Sequence, residues 1–396
     1  NTNMNPTENS SPKQNSGQPR RSRNFRRSPA HAGRTQSAQR HGGGGNRPQS
    51  GRPAGQPGGK PARRNNKNRR NNFRRRSNTS PALAHRLATT DEKMPVIPEI
   101  TDENTVRIIP VSGVEEIGRN MNIIETKDDI IVVDAGFQFV SPESNTPGIN
   151  YILPNTQYLE ERKHKIRALV VTHGHLDHIG GIPFIMERIG NPPIYTQYLT
   201  SLMILKRQEE FPHMDPVDIK VIKEGESFTV GKTKIKTFPV THSIPDAMGV
   251  CVETKHGDVI VTGDLKLIHE DGKVVIAEKA SWEKVGENNN LALLCDSTNS
   301  DRSGFSASEA KVFETLEEII KASTGRLIIG TFASQFDRLI SIIKVCEENG
   351  KKVVMEGRSI KTNIEIAIQA KLVEVKPHTF INAGDMGDYP ADKIVI

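Results

Sequence analysis

Three histidines and an aspartate fall within six positions of the run Val171-Thr172-His173-Gly174-His175-Leu176-Asp177-His178-Ile179-Gly180-Gly181. Imidazole nitrogen and carboxylate oxygen suit zinc, at about 2.0–2.2 Å from the ion. His173 and His175 are two apart on an extended segment, so they point the same way and can chelate one ion. Asp177 and His178 lie around the following turn and can reach a second ion close by. Two later segments supply further candidates. Phe238-Pro239-Val240-Thr241-His242-Ser243 places His242 after an apolar stretch, and Val259-Ile260-Val261-Thr262-Gly263-Asp264 places Asp264 at a strand end. Alone, either would fit a turn or core role; the run at 173–178 raises them. A carboxylate can bridge two cations, and ions about 3.5–4 Å apart can activate water and hold a leaving oxygen. Asp134 follows the run 130–133. It is expected to accept a ligand imidazole's N–H and fix its tautomer.

These groups need rigid carriers. Residues 166–171 read as a strand feeding the ligand turn, with a helix starting near His178. Short apolar runs at 106–111, 122–125 and 130–133, separated by turn residues, read as sheet. Residues 141–148 read as a loop. Helical spacing follows at 179–189, broken early by Pro183, and again at 200–210; strands resume at 219–222, 234–238 and 250–253. Every candidate ligand falls at or just after a strand end. Two stacked sheets with outer helices would hold them in place.

From about Leu291 the rhythm becomes alternating strand and helix. A strand at 291–295 ends at Asp296. Ser306-Ala307-Ser308-Glu309 has capping-box spacing and opens a helix to about Ala322. A strand at 326–331, a helix at 335–349, a strand at 352–355 and a helix at 361–370 follow, as in a parallel α/β domain with right-handed crossovers. Helix N-terminal N–H groups favour phosphate. Ser334, Arg338, Arg358 and Ser359 are therefore candidate contacts to a nucleic-acid backbone, balanced against ordinary capping serines and solvated arginines.

Taken in order, several segments resemble the metallo-β-lactamase superfamily: 113–121 (Gly-Val-Glu-Glu-Ile-Gly-Arg-Asn-Met), the Asp134 strand, 173–181, Thr241-His242-Ser243-Ile244-Pro245-Asp246 and Thr262-Gly263-Asp264-Leu265-Lys266. Asp296-Ser297-Thr298-Asn299, Thr331-Phe332-Ala333-Ser334 and Gly357-Arg358-Ser359 narrow the resemblance, over residues 105–396, to the β-CASP nucleases and their ribonuclease J family. The resemblance implies an α/β chain, with a metallo-β-lactamase αββα sandwich over 101–300 and an incomplete β-CASP α/β domain over 301–396; composition adds a disordered basic tail over 1–100. The resemblance also implies two zinc ions, with manganese as an alternative. His173, His175 and His242 would bind one ion, Asp177 and His178 the other, and Asp264 would bridge them. Asp296 matches the first signature carboxylate of the branch. Gly148 and Asn150 align with a structural calcium site of some relatives, but Asn150 stands where an aspartate is usual, which weakens calcium as a cofactor. The branch's downstream His-x-Ser-Gly-His run is absent, and the chain starts at Asn1 and stops at Ile396 inside an apolar run. The expectation is a C-terminally truncated fragment, with one metal under-ligated and weak activity.

Charge divides the chain. Residues 1–90 hold 20 Lys and Arg against the single acid Glu8, a net of +19, while the remainder holds 34 basic and 46 acidic residues, a net of −12. The tail is poor in large apolar residues and is expected to be disordered. Its two aromatics, Phe25 and Phe73, sit in a repeated Asn-Phe-Arg-Arg tetrapeptide, which suits phosphate neutralisation with occasional base stacking. A solubilising extension is the alternative. Cys251, Cys295 and Cys346 are far apart beside apolar residues, so buried thiols in a reducing compartment are expected. No signal-peptide core or membrane-length run is visible, and with the resemblance this suggests the cytoplasm.

The expected activity is ribonuclease action by a two-metal-activated water. The resemblance adds 5′→3′ exonuclease and endonuclease activity, a preference for 5′-monophosphate ends, roles in RNA decay and rRNA maturation, a homodimer or homotetramer, and RNA-degradation or ribosome-associated partners. The rivals are another hydrolase on the same scaffold, such as a thioester or lactam hydrolase, and a non-catalytic RNA-binding protein. Deleting residues 1–90 should weaken RNA affinity and flatten its salt dependence while sparing catalysis; a salt slope unchanged by the deletion would rule out tail contacts with phosphate.

Overall fold

Four consecutive β-branched residues, Ile130 to Val133, are all buried because they face two different cores. Ile130 and Val132 point to one apolar cluster, Ile131 and Val133 to another. A strand covered on both faces reads as a continuous apolar run rather than an alternating one. This strand lies at the centre of the computed structural model, which describes residues 97–140 and 147–396. The basic tail with both Asn-Phe-Arg-Arg repeats, and residues 141–146 of the expected loop, lie outside the described residues.

The first sheet has six strands in chain order: β1 (Arg107–Ser112), β2 (Met121–Glu125), β3 (Ile130–Val133), β4 (Ile166–Val170), β5 (Ile194–Thr196) and β6 (Ile219–Val221). β1, β2 and β3 pair antiparallel, and β3 to β6 pair parallel. The second sheet holds β7 (Ser227–Val230), β8 (Thr233–Pro239), β9 (Met248–Thr254), β10 (Gly257–Val261) and β11 (Asn290–Leu294). Its strands pair antiparallel up to β10, and β11 joins β10 in parallel. Between the sheets, Ile131, Val133 and Val170 meet Val250, Val252 and Val261. Outside the first sheet lie α1 (Leu176–Ile179), α2 (Ile182–Ile185) and α3 (Tyr198–Glu209), whose Ile179, Ile182 and Ile204 cover Ile123 and Leu169. Outside the second lies α4 (Ile276–Gly286), whose Trp282 and Val285 cover Phe238, Cys251 and Ile260. The layers run helix, sheet, sheet, helix, the expected αββα sandwich.

The helix expected over 179–189 is two short pieces. Gly180 and Gly181 separate them, and Pro183 in the first turn of α2 lacks the N–H that would join it to α1.

Beyond Asp296 come α5 (Glu309–Ala322), α6 (Phe336–Glu348) and α7 (Arg358–Gln369), with a short parallel pair, β12 (Lys352–Val353) and β13 (Ile394–Val395). This is the β-CASP-like α/β part. Ser308, rather than the expected Ser306, caps α5, accepting from the backbone N–H of Lys311 at 3.3 Å. The strand expected at 326–331 is reduced to one bridge, Leu327 with Val395, held by backbone hydrogen bonds from Leu327 to Ile394 and from Ile329 to Ile396. Leu199 of α3 and Ile244 pack with Phe336, Ile340, Ile366 and Ala367, so one apolar cluster joins the sandwich to α6 and α7. Cys251 and Cys346 are buried as expected, but Cys295 is exposed, because it lies directly after an edge strand. Among the described residues, no helix is long and apolar enough to cross a membrane.

Candidate metal centre

β3 and β4 are parallel neighbours, and their C-terminal ends present Asp134 and the ligand turn side by side. Asp134 takes a left-handed φ of +65°, which aspartate tolerates better than most residues. Its carboxylate accepts the Thr172 backbone N–H at 2.8 Å, the Thr172 hydroxyl at 3.0 Å and the His178 Nδ1–H at 2.8 Å. Gly136, two residues on, is required by closeness: a Cβ there would stand 1.5 Å from the Asp177 carbonyl oxygen. The first turn of α1 then carries Asp177 and His178 together.

The chain brings all six expected ligands together. His173, His175, His242 and Asp264 offer ligand atoms within 4.8 Å of one another, and so do Asp177, His178 and Asp264. His173 Nε2 and His242 Nε2 each lie 3.2 Å from His175 Nδ1, so three ring nitrogens face one point. Asp264 follows β10, and its carboxylate faces both groups. Oδ1 is 3.2 Å from His178 Nε2, while Oδ2 is 3.9 Å from His173 Nε2 and 3.9 Å from His242 Nε2. Nitrogen and carboxylate donors in two sets sharing one carboxylate fit a pair of zinc-like dications.

Electrostatics favours cation binding. Burial, then the neighbouring imidazoles, holds His173 well below its ordinary pKa, and burial lowers His175. Burial and His175 push His242 down to about 4. This three-histidine group is therefore neutral near pH 7, as ligands must be. His178 behaves oppositely. Burial would lower it, but Asp134, Asp177 and Asp264 outweigh burial and raise it well above the ordinary value. Burial would raise Asp177, but the hydrogen bond and charge of His178 hold it at about 2. Asp264 is likewise lowered against its burial by His178. A cleft of about 510 Å³ opens beside these groups. Among the described residues, its lining includes six carboxylates, Glu115, Glu116, Asp134, Asp177, Asp264 and Asp296, and no lysine or arginine.

Asp296 acts on the loop that carries Asp264: Oδ2 accepts the Leu265 N–H at 3.1 Å and Oδ1 the Thr298 N–H at 2.8 Å. Arg338 pairs with Glu309 at 3.2 Å, while Arg358 and Ser359 are exposed in the first turn of α7. Ser334 does not cap α6, whose N-cap is Gln335; its carbonyl oxygen lies 3.4 Å from His175 Nε2. Gly148 and Asn150 are exposed, and among the described residues no cluster of three acidic, histidine or cysteine ligands forms there. One contact had no role assigned from sequence. Asn120 Nδ2 lies 3.2 Å from Asp177 Oδ2 and 3.0 Å from His178 Nε2. Its only signal was membership of the matched 113–121 stretch.

Two outcomes follow. Asp134→Asn should weaken zinc binding at the Asp177–His178–Asp264 group by about 10–100-fold, read by chelator competition; unchanged affinity would contradict the role given to Asp134. In the metal-free protein His242 takes its proton only near pH 4, whereas an unfolded histidine does so near 6.5. Between those values the unfolded chain binds more protons, so acidification from about 6.5 to about 4 removes stability. His242→Gln in chelator should flatten the fall in urea midpoint across that window, and a slope equal to the parent's would refute the assignment.

Comparison with known proteins agrees with this geometry. A beta-lactamase superfamily domain model matches residues 130–282, and a model described as ribonuclease J, beta-CASP domain, matches residues 324–396. Ribonuclease J of Mycoplasma pneumoniae is 34% identical over 299 residues, covering 75% of this chain and 52% of that protein. Ribonuclease J of Thermus thermophilus is 36% identical over 302 residues, covering 74% and 52%. The chain thus spans about half the length of these curated relatives. A crystal structure of a protein of unknown function from Enterococcus faecalis V583 shares the fold, with a TM-score of 0.54 at 17% identity over 73% of this chain and 76% of that one. With the paired ligand groups on the αββα sandwich and the β-CASP-like part behind them, the chain matches ribonuclease J proteins over about 74% of its length, through a beta-lactamase superfamily domain followed by a ribonuclease J beta-CASP domain.

Proposed function

We propose that this chain carries the catalytic centre of a metal-dependent ribonuclease that hydrolyses RNA phosphodiesters. The observation that supports this most is the Asp264 carboxylate, which faces two ligand groups at once in a chain that matches ribonuclease J proteins. When bound, two zinc or manganese ions would supply Lewis acidity that acidifies water and neutralises phosphate charge. His173, His175 and His242 would hold one ion, Asp177 and His178 the other, with Asp264 between them. Asp177, ionised near neutral pH and held by Asn120, would orient the attacking water with Asp264. Asp134 fixes the His178 tautomer so that Nε2 faces the centre. A cleft whose described lining is rich in carboxylate would repel RNA by itself, so bound cations would meet the phosphate there.

The finer reading follows the family. It comprises 5′→3′ exonuclease and endonuclease action, preference for 5′-monophosphate ends, and work in RNA decay and rRNA maturation as a homodimer or homotetramer in the cytoplasm. The division into a sandwich over 101–300 and a β-CASP domain over 301–396 belongs to the same reading. Arg358 and Ser359, exposed at the start of α7, are the better placed backbone contacts; Arg338 would have to leave Glu309 first.

The purified protein, loaded with zinc or manganese, should degrade 5′-monophosphorylated single-stranded RNA slowly, in keeping with the weak activity expected from the sequence, and leave a thioester intact, and Asp177→Ala should reduce that slow RNA cleavage to background. Thioester turnover without RNA cleavage would reassign the site, and tight RNA binding with no turnover would make the chain a binding protein.

A further inference from the structure

Each histidine of the first motif has a partner for its outward nitrogen. His178 Nδ1 meets Asp134, and His173 Nδ1 lies 3.0 Å from the Thr172 hydroxyl. Both partners belong to the sandwich. His175 is different: its Nε2 meets the carbonyl oxygen of Ser334, 159 residues downstream, in the turn that precedes α6. That contact leaves His175 Nδ1 to face His173 and His242.

The turn is itself fixed. Asn363 of α7 donates from Nδ2 to the Ala333 carbonyl at 2.8 Å, and Gln335 donates its N–H to the Phe332 carbonyl at 3.1 Å. The apolar cluster beneath it contains Phe336, two residues after Ser334, and Ile244, two residues after His242. Two of the three histidines are therefore set from the same side. Ser334 fixes the ring of His175, and the Ile244 anchor fixes the loop of His242.

We propose that the 331–335 turn is a backbone latch for the three-histidine site, with Asn363 as its positioning residue. Seating of α6 and α7 on the sandwich and metal binding at that site then favour one another. This rests on His173, His175 and His242 being ligands. The reasoning is chemical. A ligating imidazole is oriented by what its other nitrogen donates to, and such partners change metal affinity by about 10–100-fold. Coupling of this kind is reciprocal: whatever the seated turn adds to metal affinity, bound metal adds to the seating of the turn. Asn363 touches neither the ligands nor the cleft, so its effect must pass through the Ala333–Ser334 backbone.

Zinc binding by the metal-free protein, followed by chelator competition, tests the latch. Asn363→Asp keeps the side-chain shape but removes the donor and places negative charge against the carbonyl. Asn363→Asp and Asn363→Ala should weaken one of the two zinc sites by about 10–100-fold and leave the other unchanged. Hydrogen exchange of amides 334–336 in the unmutated protein should slow on adding zinc, a readout that needs no variant. Unchanged affinity in both variants, equal loss at both sites, or exchange indifferent to zinc would overturn the latch. An unmutated protein that binds no zinc would instead remove the ligand reading itself, and the latch with it.

Discussion

The Asp134 carboxylate is the constraint on which the centre depends. It is buried at the end of the central strand and takes three donors, two from Thr172 and one from His178. One side chain thus stitches β3 to the turn after β4 and turns the His178 ring toward the metal site. Without it, the Thr172 N–H would lose its acceptor in a water-free place, at a cost of about 1–3 kcal/mol. His178 would lose the group that sets its tautomer. The rest of the centre is built outward from this stitch. The α1 turn follows His175, the Asp177 carbonyl closes against Gly136, and Asp264 arrives from the second sheet to face both ligand groups.

Much of this was legible because the chemistry is local. His173, His175, Asp177 and His178 sit within six residues, so their convergence needed only a strand, a turn and the start of a helix. His242 and Asp264 were visible as polar residues ending apolar strands, and the sandwich brings those ends together. The two sheets were readable for the same reason: short β-branched runs buried on both faces carry a strong pattern, as β3 and β10 do.

What was not legible depends on long-range contact or weak pattern. The helix α4 has a charged sequence and sends mainly Trp282 and Val285 to the core, too few for a helical stripe to stand out. Asn120 is an ordinary polar residue in sequence, and its contact with Asp177 spans 57 positions. Ser334 looked like a helix cap or phosphate contact because of its side chain, yet its backbone carbonyl makes the contact to His175. No side-chain pattern encodes that. Cys295 seemed buried from its apolar neighbours, but β11 is an edge strand whose Leu291 and Leu293 face outward, and Cys295, directly after it, is exposed as well.

The central claim is that six side chains between 173 and 264 hold two cations that share the Asp264 carboxylate. Anomalous diffraction at the zinc absorption edge, on crystals of the zinc-loaded protein, tests it without reference to any substrate. Two peaks about 3.5–4 Å apart, one among His173, His175 and His242 and one beside Asp177 and His178, with Asp264 between, are expected. A single peak away from Asp264, or none among these residues, would contradict it.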